Sequence, residues 1–149
     1  MFSFGEGLSY TTFTASAPTA PSAVSPCEPI PVSVLISNTG KMDSDVVVQL
    51  FVSQSGLSVP APATRLVSFA RVHIAAGGQL RVALPPVAPE FRAVVHEDGG
   101  DVYSYAGKRW GEAGTLNFRV ALGEHGGDRA GGVPFSVTVK STQDLSTCA

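Results

Sequence analysis

Short stretches in which every second residue is apolar are the feature that most limits how this chain can fold. In residues 31–37, Val32, Val34 and Ile36 lie on one face of an extended chain and serines lie on the other. This spacing of two is typical of a β-strand that buries one face. No stretch shows the sustained spacing of three to four residues that an amphipathic helix requires. The pattern predicts an all-β chain.

Further stretches of this kind, separated by Gly, Pro and Asn, predict seven or eight short strands and hence an antiparallel β-sandwich. The strands are expected at residues 45–53, 65–74, 79–84, 91–97, 102–105, 115–122 and 133–139. The strand at 45–53 has apolar groups on both faces, which predicts a central position in a sheet. Pro85, Pro86 and Pro89 are expected to end the strand at 79–84, because proline cannot donate a ladder hydrogen bond.

Composition divides the chain into three parts. Residues 1–30 are predicted to be an interdomain motif followed by a linker, since the stretch up to Pro31 is rich in Pro, Ser and Ala. Residues 31–140 are predicted to form the sandwich, and 141–149 a flexible tail. Large apolar groups ahead of a linker cannot all reach the core, so they predict an exposed patch for a partner surface. These groups are Phe2, Phe4, Leu8, Tyr10 and Phe13.

Charge and hydropathy exclude two classes of partner. The formal net charge is -2 and the basic residues are scattered, whereas nucleic-acid binding needs a basic stripe. No apolar run approaches the ~20 residues needed to span a bilayer. The first residues have neither a basic start nor an apolar run, so we expect no signal peptide at this N-terminus. The sequence contains no cofactor motif.

The two cysteines, Cys27 and Cys148, leave two states open. A metal site would need more ligands at short spacing, so no metal is expected. The residues after Val139 could run back along the sandwich, since nine extended residues span roughly 30 Å. That path would permit a disulfide. The favoured interpretation is two free thiols, one of them in a loose tail.

Acidic and aromatic clusters provide weak candidates for a binding site. Acidic residues near the turn at 97–101 could bind calcium, although a solvated turn is the favoured interpretation. Tyr103, Tyr105 and Trp110 could stack on sugar rings, and Trp110 lies in a polar stretch where burial is not obvious. The favoured alternative is that these rings pack on the sandwich edge or on a neighbouring domain. No Gly-x-Ser-x-Gly motif supports a nucleophilic serine.

Residues 4–13 read FGEGLSYTTF and resemble the segment that leads into the last domain of family 3 β-glucosidases and β-xylosidases. The SNTG at 37–40, the VVVQLFV at 46–52 and the prolines before 65–72 are similar to the same family in the same order. Glu6, Ser68 and Gly77 depart from its usual pattern. Residues 94–99 look more like the β-xylosidase branch.

The resemblance covers nearly the whole chain and implies an immunoglobulin- or fibronectin type III-like sandwich. Members of the family are secreted or vacuolar retaining exo-glycosidases, whose two catalytic carboxylates lie about 5 Å apart in upstream domains. The resemblance therefore implies that this chain has no catalytic residues, begins part-way through the motif and docks on those upstream domains. The alternative is an independent module that binds polysaccharide or another protein.

Overall fold

The computed structural model describes residues 9–96, 108–122 and 132–148. This part of the chain contains eleven strands, numbered in chain order: β1 Phe13–Thr19, β2 Ala23–Val24, β3 Ile30–Asn38, β4 Ser44–Gln54, β5 Arg65–Ile74, β6 Gln79–Val87, β7 Val94–His96, β8 Lys108–Gly111, β9 Gly114–Leu122, β10 Val133–Val139 and β11 Gln143–Asp144. Two short 3₁₀ turns, Pro89–Arg92 and Leu145–Thr147, supply its helical structure. Neither has the length or the hydropathy to cross a lipid bilayer.

Two sheets form the predicted β-sandwich. One has the strand order β1-β3-β6, and the other has the order β2-β10-β9-β4-β5. All their pairings are antiparallel except that of β2 with β10. A third sheet, β11-β8-β7, lies at one end, where β6 and β10 finish and β9 starts.

The core lies between the two large sheets, and the alternation of the sequence accounts for it. In β3, Val32, Val34 and Ile36 are all buried, as predicted. Strand β4 pairs with β5 on one side and with β9 on the other, so it is central. Its Gln49 and Phe51 are also buried, although they lie on the face turned away from the core. Burial on both faces explains why residues 46–52 of β4 are apolar apart from Gln49.

The predicted linker is instead an edge strand that divides between the two sheets. Strand β1 pairs with β3, and β2 then pairs in parallel with β10. The change occurs after Ala17, which has a φ of 40°, where the β1–β3 register shifts between Ser16 and Thr19. An edge strand is half exposed and tolerates proline. The composition therefore reflects an edge position rather than a linker.

Two other expectations about strands were wrong. Pro85 and Pro86 lie inside β6 and do not end it, because β6 is an edge strand whose outer side needs no ladder donor. The β4–β5 register shifts between Leu50 and Phe51, which turns Val67 into the core and leaves Leu66 exposed. Regular alternation puts Leu66 in phase with Val72 and Ile74, and a bulge of this kind reverses the alternation locally.

The stretch predicted as one strand at 91–97 has two parts. A 3₁₀ turn, Pro89–Arg92, is followed by the three-residue strand β7. Leu80 is in phase with the buried Val82 and Leu84, but it is exposed near the start of β6. The hairpin tip at 98–100 and the strand expected at 102–105 lie outside the described residues.

The predicted flexible tail has defined structure up to Cys148. Strand β11 pairs with β8, and the 3₁₀ turn Leu145–Thr147 follows it. Asp144 caps this turn by accepting a hydrogen bond from the Ser146 N–H at 2.9 Å. Cys148 then forms a disulfide with Cys27, and their Cα atoms lie 5.4 Å apart. The interpretation as two free thiols was wrong.

Replacing Phe118 with alanine should test how far stability depends on the inter-sheet core. Phe118 is fully buried and stacks on Phe135, with ring centroids 5.1 Å apart. We expect Phe118→Ala to lower the free energy of unfolding by about 3–5 kcal/mol, because it leaves a cavity. The matched control is Phe69→Ala in the same sheet, whose ring is 61% exposed. Its effect in urea denaturation should stay within about 0.5 kcal/mol, and equal losses in both variants would contradict the placement of Phe118.

Candidate functional site

The end of the sandwich at which the chain arrives is the first candidate site. Strand β1 starts there, next to the end of β3, because Phe13 pairs with Asn38. Strand β4 starts beside the end of β5, because Ser44 pairs with Ile74. We call residues 9–12 the leading segment. These strand ends, with the turns that join β3 to β4 and β5 to β6, form the leading end.

A buried asparagine holds the leading end together. Asn38 is 1% exposed, and its Nδ2 donates to the carbonyl oxygens of Met42 at 2.8 Å and Ile74 at 3.0 Å. Its Oδ1 accepts from the Thr11 hydroxyl at 2.7 Å and from the Gly40 N–H at 3.1 Å. All four hydrogen-bonding positions of the amide are therefore used. One side chain fixes the leading segment relative to both turns.

The turn after β3 fits closely against the leading segment. The Thr39 N–H donates to the Thr12 carbonyl at 2.8 Å, and the two threonine hydroxyls lie 2.8 Å apart. A Cβ atom on Gly40 would lie only 2.0 Å from the Thr11 hydroxyl, so only glycine permits this approach. The sequence at 37–40 was noted only for its resemblance to a family, and nothing in it showed that this turn binds the leading segment.

The structure separates the apolar residues predicted to dock on a partner. Tyr10 is 95% exposed, whereas Phe13 is 7% exposed and belongs to the core. Phe13 begins β1, so its side chain points between the sheets and does not join an exposed patch. Phe2, Phe4 and Leu8 lie outside the described residues.

Other exposed apolar side chains lie at the leading end and on the outer face of the five-stranded sheet. Met42 is exposed in the turn between β3 and β4, and Leu80 is exposed near the start of β6. On the outer face of the five-stranded sheet, Val47 and Phe69 are both exposed. The β4–β5 register makes these two diagonal neighbours, close enough for side chains of their size to touch. Asp45 and His73 lie on the same face, between this apolar pair and the leading end.

A polar cluster lies on the same outer face, beside this apolar surface. Asp45 accepts hydrogen bonds from Arg71 at 2.7 and 2.9 Å, and its other oxygen lies 2.8 Å from His73 Nδ1. An ionised carboxylate can only accept, so Nδ1 carries the proton in this pair. The hydrogen bond from His73 and then the one from Arg71 lower the pKa of Asp45. All three side chains are exposed.

The opposite end of the sandwich is held by a buried arginine. Arg92 is 2% exposed and donates to the carbonyl oxygens of Ser25 at 3.3 Å, Pro26 at 2.8 Å and Glu28 at 2.7 Å. Burial lowers the pKa of its guanidinium. Arg65 in turn donates to the Ala93 carbonyl at 2.9 Å. The loop at 25–28, which contains Cys27, is therefore attached to the chain just before β7.

A buried carboxylate holds the long loop between β4 and β5. Glu112 accepts hydrogen bonds from the N–H of Ser58, at 3.0 Å, and from its hydroxyl. The Glu112 carbonyl also accepts from Gln54 Nε2 at 3.3 Å. These contacts give Glu112 a structural role. The sequence analysis named neither Arg92 nor Glu112, because nothing local marks a charged residue as buried.

Of the residues considered for sugar or metal binding, Trp110 alone lies in the part of the chain that the structure describes. Trp110 is half-buried on β8, where it pairs with Val94 on one side and Asp144 on the other. Tyr103, Tyr105 and the acidic turn at 97–101 lie outside the described residues. Within the described ranges, no group of three or more His, Cys, Asp or Glu side chains could hold a metal ion.

A family model for the fibronectin type III-like domain matches residues 46–121, just over half of the 149-residue chain. The chain belongs to this family. Among characterised sequences it is 38% identical over 90 residues to the probable β-glucosidase I of Aspergillus flavus. That match covers 56% of this chain and 11% of the Aspergillus protein.

Solved structures give the same fold. The β-glucosidase EmGH1 of Erythrobacter marinus superposes with a TM-score of 0.77 at 26% identity, over 93% of this chain and 17% of that one. The family 3 β-glucosidase of Bifidobacterium adolescentis has a TM-score of 0.75 at 23% identity, over 92% of this chain and 18% of that one. This second likeness shows the fold alone. The chain thus spans about a tenth to a fifth of the proteins it matches.

Removing the Asn38 amide should destabilise the leading end. Asn38→Ala leaves buried carbonyl and N–H groups without partners, at about 1–3 kcal/mol each, and we expect a total loss of roughly 3 kcal/mol in urea denaturation. Thr11→Val removes one of the four bonds and should cost about 1 kcal/mol. The exposed Thr12→Val is the matched control and should be near neutral. A loss below about 1 kcal/mol for Asn38→Ala would contradict the role of Asn38.

The acidic titration of Asp45 should depend on His73. We expect His73→Ala to raise the pKa of Asp45 towards its ordinary value, as measured by NMR titration of the carboxyl carbon. Because the pKa is lowered in the folded state, the pair stabilises the protein above the unfolded pKa. That contribution disappears as the pH falls through the folded pKa. An unchanged Asp45 titration in His73→Ala, with Arg71 intact, would contradict the hydrogen bond.

Proposed function

We propose that this chain is a non-catalytic accessory domain of a larger β-glucosidase, and that its leading end docks on the catalytic part of that enzyme. The observation that carries the proposal is the contrast within the leading segment. Thr11 is buried and held by Asn38, while Tyr10 beside it is 95% exposed. An ordered backbone therefore presents an aromatic side chain that this chain does not cover.

Fixing the leading segment before docking lowers the conformational entropy that is lost when a partner binds it. A partner that binds an unordered segment must first restrict it, and that restriction reduces the affinity. The hydrogen bonds between Asn38 and Thr11 and between Thr39 and Thr12 restrict these residues in advance, and Tyr10 beside them is exposed. Tyrosine is among the residues that most often anchor an interface, because its ring is large and has few torsions.

The proposed interface includes the exposed apolar groups around Tyr10. Interfaces between domains of one chain bury about 600–1,500 Å², which is more than one tyrosine supplies. Met42 and Leu80 are exposed at the leading end and Phe69 is exposed farther along the outer face of β5, and all three would enlarge the contact. The Asp45, Arg71 and His73 cluster lies between the leading end and Phe69, where its charges would contribute to orientation more than to affinity.

The proposal places catalysis elsewhere in the parent enzyme. Retaining glycosidases need two carboxylates about 5 Å apart with access to substrate, whereas Glu112 in this chain is buried and bound to Ser58. We favour a glucoside substrate for the parent, because the relatives and solved structures described above are named β-glucosidases. The features that suggested the β-xylosidase branch fall partly on residues 97–99, outside the described residues.

We also propose that the parent enzyme works in an oxidising compartment, such as the outside of the cell. The Cys27–Cys148 disulfide supports this, because structural disulfides persist mainly in secreted proteins.

The docking proposal is tested by mixing this chain with the separately produced upstream part of its parent glucosidase. We expect a complex by analytical ultracentrifugation, and a higher melting temperature of the upstream part when the chain is present. Tyr10→Ser and Phe69→Ser should each weaken binding at least tenfold. The matched control is Phe91→Ser, because Phe91 is 57% exposed but lies at the opposite end, and it should bind like the unmodified chain.

Three outcomes would contradict the proposal. The first is no binding and no change in the melting temperature of the upstream part. The second is weakening by Phe91→Ser but not by Tyr10→Ser, which would place the interface at the other end. The third is retention of the isolated chain on cellulose or xylan that Trp110→Ala abolishes, since this would indicate an independent carbohydrate-binding module.

A further inference from the structure

The C-terminal segment, residues 141–148, lies on the surface beside β8. Its strand β11 forms two residue pairs with β8, and the Thr142 hydroxyl accepts from the Ala113 N–H at 3.0 Å. Several of its hydrogen bonds are internal, such as that from the Thr147 hydroxyl to the Asp144 carbonyl at 2.6 Å. None of its residues is buried. The segment therefore depends strongly on the covalent bond at Cys148.

The other side of the disulfide is held much more firmly. Cys27 lies in the loop at 25–28, whose carbonyl groups accept hydrogen bonds from the buried Arg92. The loop is closed on itself as well, because the Ser25 N–H donates to the Glu28 carboxylate at 2.7 Å. That hydrogen bond lowers the pKa of Glu28. The loop immediately precedes β3, a strand of the core. Cutting the disulfide leaves all these contacts in place.

The two half-cystines thus differ in what holds them, and both are half-buried rather than enclosed. We propose that the Cys27–Cys148 disulfide is a redox latch. Its reduction releases the C-terminal segment from the sandwich, while the Cys27 loop and both large sheets stay folded. The proposal does not depend on the docking function, because it concerns the end of the sandwich opposite the leading end.

The reaction needs a dithiol reductant, either a small molecule or a dithiol protein. One thiolate of the reductant attacks a sulfur of the disulfide and forms a mixed disulfide, and the released cysteine thiolate takes up a proton. The second thiol of the reductant then closes its own disulfide and releases the other cysteine as a thiol. Two electrons and two protons pass from the reductant to Cys27 and Cys148.

Release of the segment uncovers an apolar contact. Gly111 on β8 has no side chain, and a Cβ atom there would lie 3.1 Å from both Leu145 Cδ2 and Pro26 Cβ. Leu145 and Pro26 therefore converge on the backbone of β8 while the latch is closed. When residues 141–148 leave, Leu145 no longer covers Gly111 and Pro26. The latch controls access to this part of the surface.

Hydrogen exchange followed by mass spectrometry tests the proposal on the intact chain with and without dithiothreitol. After reduction we expect peptides from 141–148 to exchange at least tenfold faster. Peptides from β3, from β4 and from the loop at 25–28 should keep their protection. The control is the Cys27→Ser/Cys148→Ser double variant. It should exchange like the reduced chain and should not respond to dithiothreitol.

Every other pattern contradicts the latch. Unchanged exchange at 141–148 in the reduced chain would mean that the weak contacts suffice to hold the segment. Faster exchange throughout the chain would mean that the disulfide stabilises the whole domain and not one segment. Equal loss of protection at 25–28 and at 141–148 would show that Arg92 does not hold the loop independently. Alkylation with iodoacetamide before digestion confirms that both thiols were formed.

Discussion

The hydrogen bonds of the Asn38 side chain are the constraint on which the leading end of this domain depends. Burying an amide costs free energy unless each of its donors and acceptors forms a hydrogen bond, so the four partners of Asn38 must meet at one point. Those partners come from the leading segment, from the turn after β3 and from the end of β5. Apolar packing fixes the middle of the sandwich, whereas these hydrogen bonds fix the position of the leading segment, through which the chain enters the sandwich.

The sequence predicted the strands that bury one face or both, including the edge strand β5, and it failed at β1 and at the proline-containing end of β6. Strands β3, β4 and β9 have continuous apolar alternation because each lies inside a sheet. Strand β1 lies at an edge and was interpreted as a linker, and the prolines of β6 were taken as its end for the same reason. The bulge beside Leu50 could not be recognised from the sequence pattern. A register shift of one residue changes the face on which the side chains lie, but it does not change the residue types.

The polar contacts of the two ends could not be predicted, because their partners are distant in sequence. Arg92 binds carbonyl groups 64–67 residues away, and backbone carbonyls have no residue-type signal. Tyr10 is exposed, and its role in docking stays a prediction. Phe13 was not recognised as a core residue, because its burial follows from its position as the first residue of β1. The resemblance to a family supplied the fold class, but none of these contacts.

The disulfide also constrains the order of events during synthesis. Cys27 and Cys148 are separated by 121 residues, and translation at about 5–20 residues per second takes roughly 6–24 s to cover that length. Cys27 is therefore synthesised well before its partner exists. In the folded chain, the sandwich between them brings the two cysteines to the same end. The covalent bond thus joins the loop before β3 to the segment after β10, across almost the whole sequence.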